Sequence, residues 1–305
     1  MKNLWLLLFG FMIVSSIQAQ IMPIEYDPYA RFGHLTVSDG LPGNHITVIR
    51  QDKQGFMWIG TREGLARYDG TRFQVFRHQP NDSTSLASNY VNDILITPDQ
   101  TIYVGTREGL SIFNPGTFDF RQAPILFRDG RGLHDSHIRA LLHEDEHHIW
   151  VETYNGLLHL LNTRTFTTKT WPHAKPSQPY YDYHALFKDS RKNLWIGGRN
   201  LRPLKMKNQV ITPLETSSQD PTKKREPDVA FFYEDSQEDF WMGGLDGLYQ
   251  YDRDNDTVNK RMHTSSYDMV ESSDGMLWIA TGRGLARMNK KTRSVTKYLP
   301  SDNSP

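Results

Sequence analysis

The sequence contains no cysteine. That excludes disulfides, thiolate metal sites, a cysteine nucleophile and a lipid anchor on cysteine. Net charge is also missing, with 35 basic against 35 acidic side chains, so no global field draws the chain to nucleic acid or to a charged membrane surface. Long apolar runs are absent with one exception. Residues 1–20, "MKNLWLLLFGFMIVSSIQAQ", place Lys2 before an apolar run from Leu4 to Val14, then small and polar residues as far as Ala19. This is the layout of a secretory signal peptide. The run is short for a membrane span, which takes about 20 residues; an uncleaved anchor is the alternative. Ile17 is not small, which leaves the cleavage position open. The expected location is the periplasm. A chain exported without disulfides must rely on its own core, and residues 21–305 are enough to build one.

What the sequence does have is a repeat. The hexapeptide "GTREGL" occurs at residues 60–65 and again at 105–110. It is the best preserved patch of a unit present six times. The anchors are Trp58, Tyr103, Trp150, Trp195, Trp241 and Trp278, at spacings of 45, 47, 45, 46 and 37 residues. Two residues after the anchor stands Gly60, Gly105, Gly197 or Gly243, with Glu152 and Ala280 as exceptions. A Gly-Leu pair follows at 64–65, 109–110, 156–157, 247–248 and 284–285, whereas the fourth copy has Asn200-Leu201 one residue early. Six residues before the anchor an acid recurs as Asp52, Glu144, Asp189 and Asp235.

Each unit reads as four strands. "HITVIRQD" alternates apolar and polar residues with period two. "FMWIGT" and "GLARYD" are separated by a polar stretch ending in Gly, a hairpin signal, and "FQVFRH" supplies a fourth strand. Four short strands every 45 or so residues predict an all-β fold, a β-propeller with six blades present. The expected repeats are approximately 40–85, 86–132, 133–178, 179–223, 224–262 and 263–305. The repeated Trp serves as a wedge between blades, and Gly before Leu takes the positive φ that closes the hairpin. Helical repeats are excluded by the period of two. The sixth unit carries its own outer strand, "RSVTKYLP" (293–300), so a strand expected at 31–37 belongs to another blade. The expectation is a truncated seven-bladed propeller; a complete six-bladed ring with a redundant strand is the rival.

Residues 46–69, "ITVIRQDKQGFMWIGTREGLARYD", resemble the two-component regulator propeller repeat, and "FGHLTVSDGLPGNHI" resembles the start of the sensor half of hybrid two-component systems from gut Bacteroidetes. The resemblance covers residues 31–305, strongest in the first unit and degenerate in the third and fourth. It implies two such propellers in the periplasm, then a small β-sandwich, a membrane helix, a histidine kinase and a DNA-binding regulator. It also implies that the periplasmic part senses oligosaccharides and controls genes for their breakdown. The sequence has no second propeller, sandwich, membrane helix or kinase boxes, so kinase activity is expected of a longer parent chain. The expected partners are an acidic oligosaccharide, further periplasmic domains of that parent, and a second protomer in a dimer of it. No nucleic acid is expected to touch this segment.

No catalytic residue, cofactor or metal is expected. In the stretch "HDSHIRALLHEDEHH" (134–148), His137 heads a strand while His147 and His148 lie in the turn at its other end. At 3.3 Å per residue they stand about 20–25 Å apart, too far to share a metal ion. The recurrent Asp52, Asp189 and Asp235 suit a turn, where carboxylates accept backbone N–H groups. "GTREGL" lacks the Lys-Ser/Thr of a phosphate loop, and no Gly-x-Ser-x-Gly elbow occurs. The expected binding surface is one face of the propeller. Loops into the first strands contribute His45, Tyr90, His137 and Tyr183; hairpins between second and third strands contribute Arg62, Arg107, Tyr154, Arg199, Asp246 and Arg283. Aromatic rings stack on sugar C–H groups, and Arg donates forked hydrogen bonds to carboxylate or sulfate. The expected function is a non-enzymatic sensor module. The alternatives are a secreted polysaccharide lyase or hydrolase, which needs a private constellation outside the repeat, and a pure protein-interaction scaffold.

Overall fold

A computed structural model describes residues 24–26, 33–124, 137–173, 184–198, 201–214, 228–255 and 257–298. A short strand β1 (Ile24–Tyr26) comes first. The first blade follows as β2 (Ile46–Gln51), β3 (Met57–Thr61), β4 (Gly64–Tyr68) and β5 (Phe73–Phe76). The second is β6 (Val91–Ile96), β7 (Ile102–Thr106), β8 (Gly109–Asn114) and β9 (Asp119–Gln122); the third is β10 (Ile138–Asp145), β11 (His148–Thr153), β12 (Leu157–Asn162) and β13 (Thr168–Pro172). Then come β14 (His184–Lys188), β15 (Leu194–Gly198), β16 (Leu201–Lys207) and β17 (Val210–Pro213) of the fourth blade. The fifth holds β18 (Phe231–Glu234), β19 (Phe240–Gly244), β20 (Gly247–Asp252) and β21 (Thr257–Met262); the sixth holds β22 (Ser266–Glu271), β23 (Met276–Thr281), β24 (Gly284–Asn289) and β25 (Val295–Tyr298).

Each blade is an antiparallel sheet in sequence order, and the whole is a six-bladed propeller. Among the described residues there is no α-helix. The inner strands touch in succession, β2 to β6, β6 to β10, and on through β14, β18 and β22. The hairpins close as the repeat predicts: Gly64 and Gly109 both take φ 144°, a conformation that costs glycine little.

The core lies in the seams between blades. Trp58 packs edge-on against Phe113 of the second blade, ring centroids 4.8 Å apart. Trp195 meets Phe240 of the fifth blade at 4.7 Å. Tyr103, Trp150 and Trp241 fill the remaining seams against the third, fourth and sixth blades. The recurrent acid does more than shape its turn. Asp52 accepts the N–H groups of Gln54 and Phe56 with one oxygen and the Trp58 indole N–H with the other, at 2.9 Å. Asp189 takes the Trp195 indole at 2.9 Å, Asp235 the Trp241 indole at 3.1 Å and Glu144 the Trp150 indole at 2.6 Å. The acid recurs because the buried indole N–H needs an acceptor. Where the anchor is Tyr103, the acid's position holds Thr97.

The strand expected at 31–37 is not there. Residues 33–36 are irregular and Val37–Asp39 forms a single 3-10 turn; residues 31 and 32 fall outside the described set. The Asp39 carboxylate accepts from the backbone N–H and hydroxyl of Thr36, at 2.7 and 3.0 Å, and Asn44 accepts from the Val37 N–H. These side-chain oxygens take the donors a strand would put into its ladder. The edge of the sixth blade is covered instead by β1, which pairs in parallel with β25.

Two faces remain uncovered. Ile49 is 49% exposed, whereas its counterpart Ile94 in the second blade is fully buried. Val270 is 58% exposed, whereas its counterparts Leu95, Leu142, Phe187 and Tyr233 pack into the following seam. These faces border the interval between the sixth and first blades. Replacing Ile49 and Val270 together by Lys is therefore expected to change unfolding free energy by no more than about 0.5 kcal/mol each. Self-association should fall in sedimentation velocity; loss of several kcal/mol in urea denaturation would mean that these faces are packed.

Candidate functional site

Three backbone bonds build the candidate face. The Arg62 N–H donates to the His45 carbonyl, Arg107 to Tyr90 and Tyr154 to His137, at 3.3, 3.1 and 2.9 Å. Each holds the hairpin between second and third strands beside the loop that enters the first strand. The hairpin itself is pinned by Thr61, whose hydroxyl donates to the Gly64 carbonyl and accepts from the Glu63 N–H; Thr106 and Thr281 repeat the pattern.

Side chains from successive blades then form an arc. The Arg107 guanidinium lies 3.9 Å from the centre of the Tyr90 ring, and Arg62 approaches the same ring at 5.4 Å. Neither guanidinium forms an ion pair among the described residues. His137 stacks on Tyr154, centroids 5.0 Å apart and planes 11° from parallel, and Arg139 sits 4.3 Å over the Tyr154 ring. Burial, then the positive charges of Arg139 and Arg107 and the neighbouring His184, push the His137 imidazole down to about 4. His45 is lowered as well, by burial and then by Arg62.

The structure thus brings together five of the residues the sequence pointed to: Arg62, Tyr90, Arg107, His137 and Tyr154, with His45 beside Arg62. Tyr183 and Arg199 lie outside the described residues. Asp246 is in the β19–β20 turn, where its charge and that of Asp228 help raise the Tyr249 hydroxyl, chiefly raised by burial, to about 12. Arg283 is in the β23–β24 turn with its N–H on Thr281, beside Gly282, whose N–H donates to the Ser265 carbonyl. Among the described residues no contact links Asp246 or Arg283 to the arc.

Sequence reasoning missed the group behind the arc. At three of the four glycines that follow the anchor by two, the entry to the next blade's first strand presses on it, whereas Gly243 faces Phe231 of its own blade. A Cβ on Gly60 would lie 2.7 Å from Val91, on Gly105 2.7 Å from Ile138, and on Gly197 2.8 Å from Val229. The third blade breaks this rule with Glu152, and the facing residue is His184 instead of Val or Ile. His184 Nδ1 lies 2.7 Å from Glu152 Oε1, and His173 Nε2 lies 3.2 Å from the same oxygen, near enough for charge attraction but out of line for a hydrogen bond. All three side chains are buried. Burial alone would push the Glu152 carboxyl up, but the charge and hydrogen bond of His184 and the proximity of His173 outweigh it and hold the group at about 2. Burial lowers His184 against the raising effect of Glu152. Thr153 and His159 continue the polar network, with Thr153 Oγ1 3.1 Å from His159 Nε2 and His159 Nδ1 2.8 Å from Thr170. The exception at Glu152 was visible in the repeat; its partners, 21 and 32 residues downstream, were not.

At the other end of the third blade, His148 contacts Asp145 at 2.9 Å and His147 lies 3.8 Å from Glu146. Among the described residues no group of three His, Asp or Glu is placed to hold a metal ion.

Comparison with known proteins agrees with this architecture. Residues 40–63 match the family model of the two component regulator propeller, so the chain carries that repeat. A stretch of 81 residues, 27% of the chain, is 37% identical to Histidine kinase P4 of Formosa agariphila and covers 5% of that protein. The extracellular domain of a hybrid two component system from B. thetaiotaomicron superposes with a TM-score of 0.73 over 89% of this chain and 37% of that one, at 22% identity. PorZ, a surface component of the type-IX secretion system of Porphyromonas gingivalis, superposes with a TM-score of 0.63 over 88% of this chain and 43% of that one, at 14% identity. The chain therefore spans well under half of each of these proteins. Likeness at such identities establishes the fold, and a shared fold leaves the task open.

Proposed function

We propose that this chain is the exported, non-enzymatic sensor propeller of a longer two-component signalling protein, and that the arc on its first three blades binds an acidic oligosaccharide in the periplasm. The observation that carries the reading is the pair of guanidiniums, Arg62 and Arg107, held against one tyrosine ring with no carboxylate partner among the described residues. A cation stacked on an aromatic face keeps its N–H donors for another acceptor, and a uronate or sulfate group supplies one. The match to the propeller repeat and to a histidine kinase supports placing the chain at the front of such a protein. Further periplasmic domains and a second copy of the parent would then read changes in its geometry. The exposed faces of Ile49 and Val270 favour one more four-stranded unit between the sixth and first blades of that parent.

Titration calorimetry with acidic and neutral oligosaccharides tests the reading. A hydrogen bond to a charged group is worth about 1.5–3 kcal/mol. The Arg62→Ala, Arg107→Ala double variant should therefore bind an acidic oligosaccharide at least about a hundredfold more weakly. Arg283→Ala, outside the arc, should leave affinity unchanged. Equal losses from both variants, or equal binding of neutral sugars, would remove the assignment. Chromatography of the same mixtures tests the lyase or hydrolase alternative, and no cleavage is expected. Glu152 and His184 are too deeply buried to reach a glycosidic bond.

A further inference from the structure

Arg62 and Arg107 belong to different blades, yet one ring carries both. Arg62 comes from the β3–β4 turn, Arg107 from the β7–β8 turn, and Tyr90 from the entry to β6. The Tyr90 backbone is firmly held. Its carbonyl accepts the Arg107 N–H at 3.1 Å, and its N–H reaches the Ser88 hydroxyl at 3.4 Å. Val91 beside it is fully buried against Gly60 of the first blade. The two arginines, by contrast, are exposed. A ring face gives each guanidinium a seat, and a seated side chain has less rotamer freedom left for a ligand to remove.

The distances limit how far apart the two charges stand. The guanidinium carbons lie 5.4 and 3.9 Å from one ring centre, so their separation is at most the sum of the two, 9.3 Å. A forked guanidinium–carboxylate pair puts carbon about 4 Å from carbon, and two forks on one anion span about 8 Å. Charges at that range still repel at physiological salt, where screening sets in over about 8 Å. One anion between them replaces the repulsion with two attractions. Glu63, next to Arg62 in the chain, packs its carboxyl against Gly43 instead, where a Cβ would meet it at 3.1 Å. The ring faces are in use as well. Tyr90 carries the guanidiniums, and Tyr154 carries the His137 imidazole with Arg139 over it. The sugar stacking expected of these tyrosines therefore has little free surface, and the arc presents forked donors in its place.

We propose that Arg62 and Arg107 grip a single anionic group between them, with Tyr90 as the positioning residue that presents both, so that the arc selects the acid group of a sugar and not the sugar ring. This rests on the anion-binding reading of the arc. The ligand is then an oligosaccharide whose carboxylate or sulfate projects far enough for both forks to close on it. Uronates that differ only in the configuration of one ring hydroxyl fit alike. The Tyr90 hydroxyl takes no part; the ring face orders the two cations.

Titration calorimetry tests this with a tetrasaccharide bearing one glucuronate and with its epimer bearing one galacturonate. The ligand then holds a single charge. Arg62→Ala and Arg107→Ala should each weaken binding by at least about tenfold, the equivalent of one charged hydrogen bond. Tyr90→Ala should lose about as much as the double arginine variant, and Tyr90→Phe should restore the affinity. The epimers should differ by less than about threefold, because a site without a hydrogen bond to the ring hydroxyl discriminates weakly. A loss from only one arginine would overturn the shared anion and leave the arc as the binding face. Equal losses from Tyr90→Phe and Tyr90→Ala would remove the positioning role of the ring. Preference for one epimer by about tenfold or more would end selection by the acid group. If neither tetrasaccharide binds, or binding ignores both arginines, the arc reading falls and the shared anion with it. Should Tyr90→Ala fail to fold, the exposed arginine variants and Tyr90→Phe decide.

Discussion

Trp195→Ala is expected to destabilise the protein by about 3–5 kcal/mol, the cost of deleting a large buried aromatic side chain. Trp195 is fully buried and touches Phe232, Phe240 and Tyr251 of the fifth blade. Its removal empties the seam and leaves Asp189, itself buried, without the indole N–H it accepts at 2.9 Å. Asp189→Ala strips the same bond from the other side. It should cost about 1–3 kcal/mol, the penalty of a buried donor left alone. Trp278→Ala should cost clearly less than Trp195→Ala. That indole is only partly buried and rests on Tyr298 of its own blade. Urea midpoints of the three variants check the order. Equal losses for Trp195 and Trp278 would show that stability does not reside in the seams.

The second large effect is a rescue. Glu152→Gly takes from the buried His184 and His173 the carboxylate they share, and removing one partner of a buried ionic group costs about 3–5 kcal/mol. Adding His184→Val should recover most of that loss, because it restores the Gly–Val contact seen at Gly60 and Val91. The coupling between the two substitutions should exceed the few tenths of a kcal/mol by which distant pairs depart from additivity. The double variant should then be folded. Simple additivity in urea denaturation would mean that the two side chains do not share one seam.

The particular elements show where sequence reasoning reaches. The anchors and their Gly and Asp companions recur at fixed offsets, and each offset answers a local need: a ring for the seam, an acceptor for its N–H, a residue with φ 144° for the hairpin. Repetition made those needs legible. The expected strand at 31–37 failed because Thr36, Asp39 and Asn44 bind the backbone themselves, and the likeness of this stretch to the end of a repeat unit does not register that competition. Placing Arg62, Tyr90, Arg107, His137 and Tyr154 on one face followed from blade periodicity; Asp246 and Arg283 share the periodicity but sit apart from the arc.

By itself, then, the sequence determined the blade: its strands, its hairpins, its anchor and the face each loop occupies, since these follow from interactions within about 45 residues that recur along the chain. Only the tertiary structure decided what meets across a seam. It set Glu152 against His184 and His173, put Arg107 and Arg62 on one tyrosine, and left Ile49 and Val270 exposed. Those pairings depend on how neighbouring sheets are turned about the axis, a geometry that no single repeat encodes.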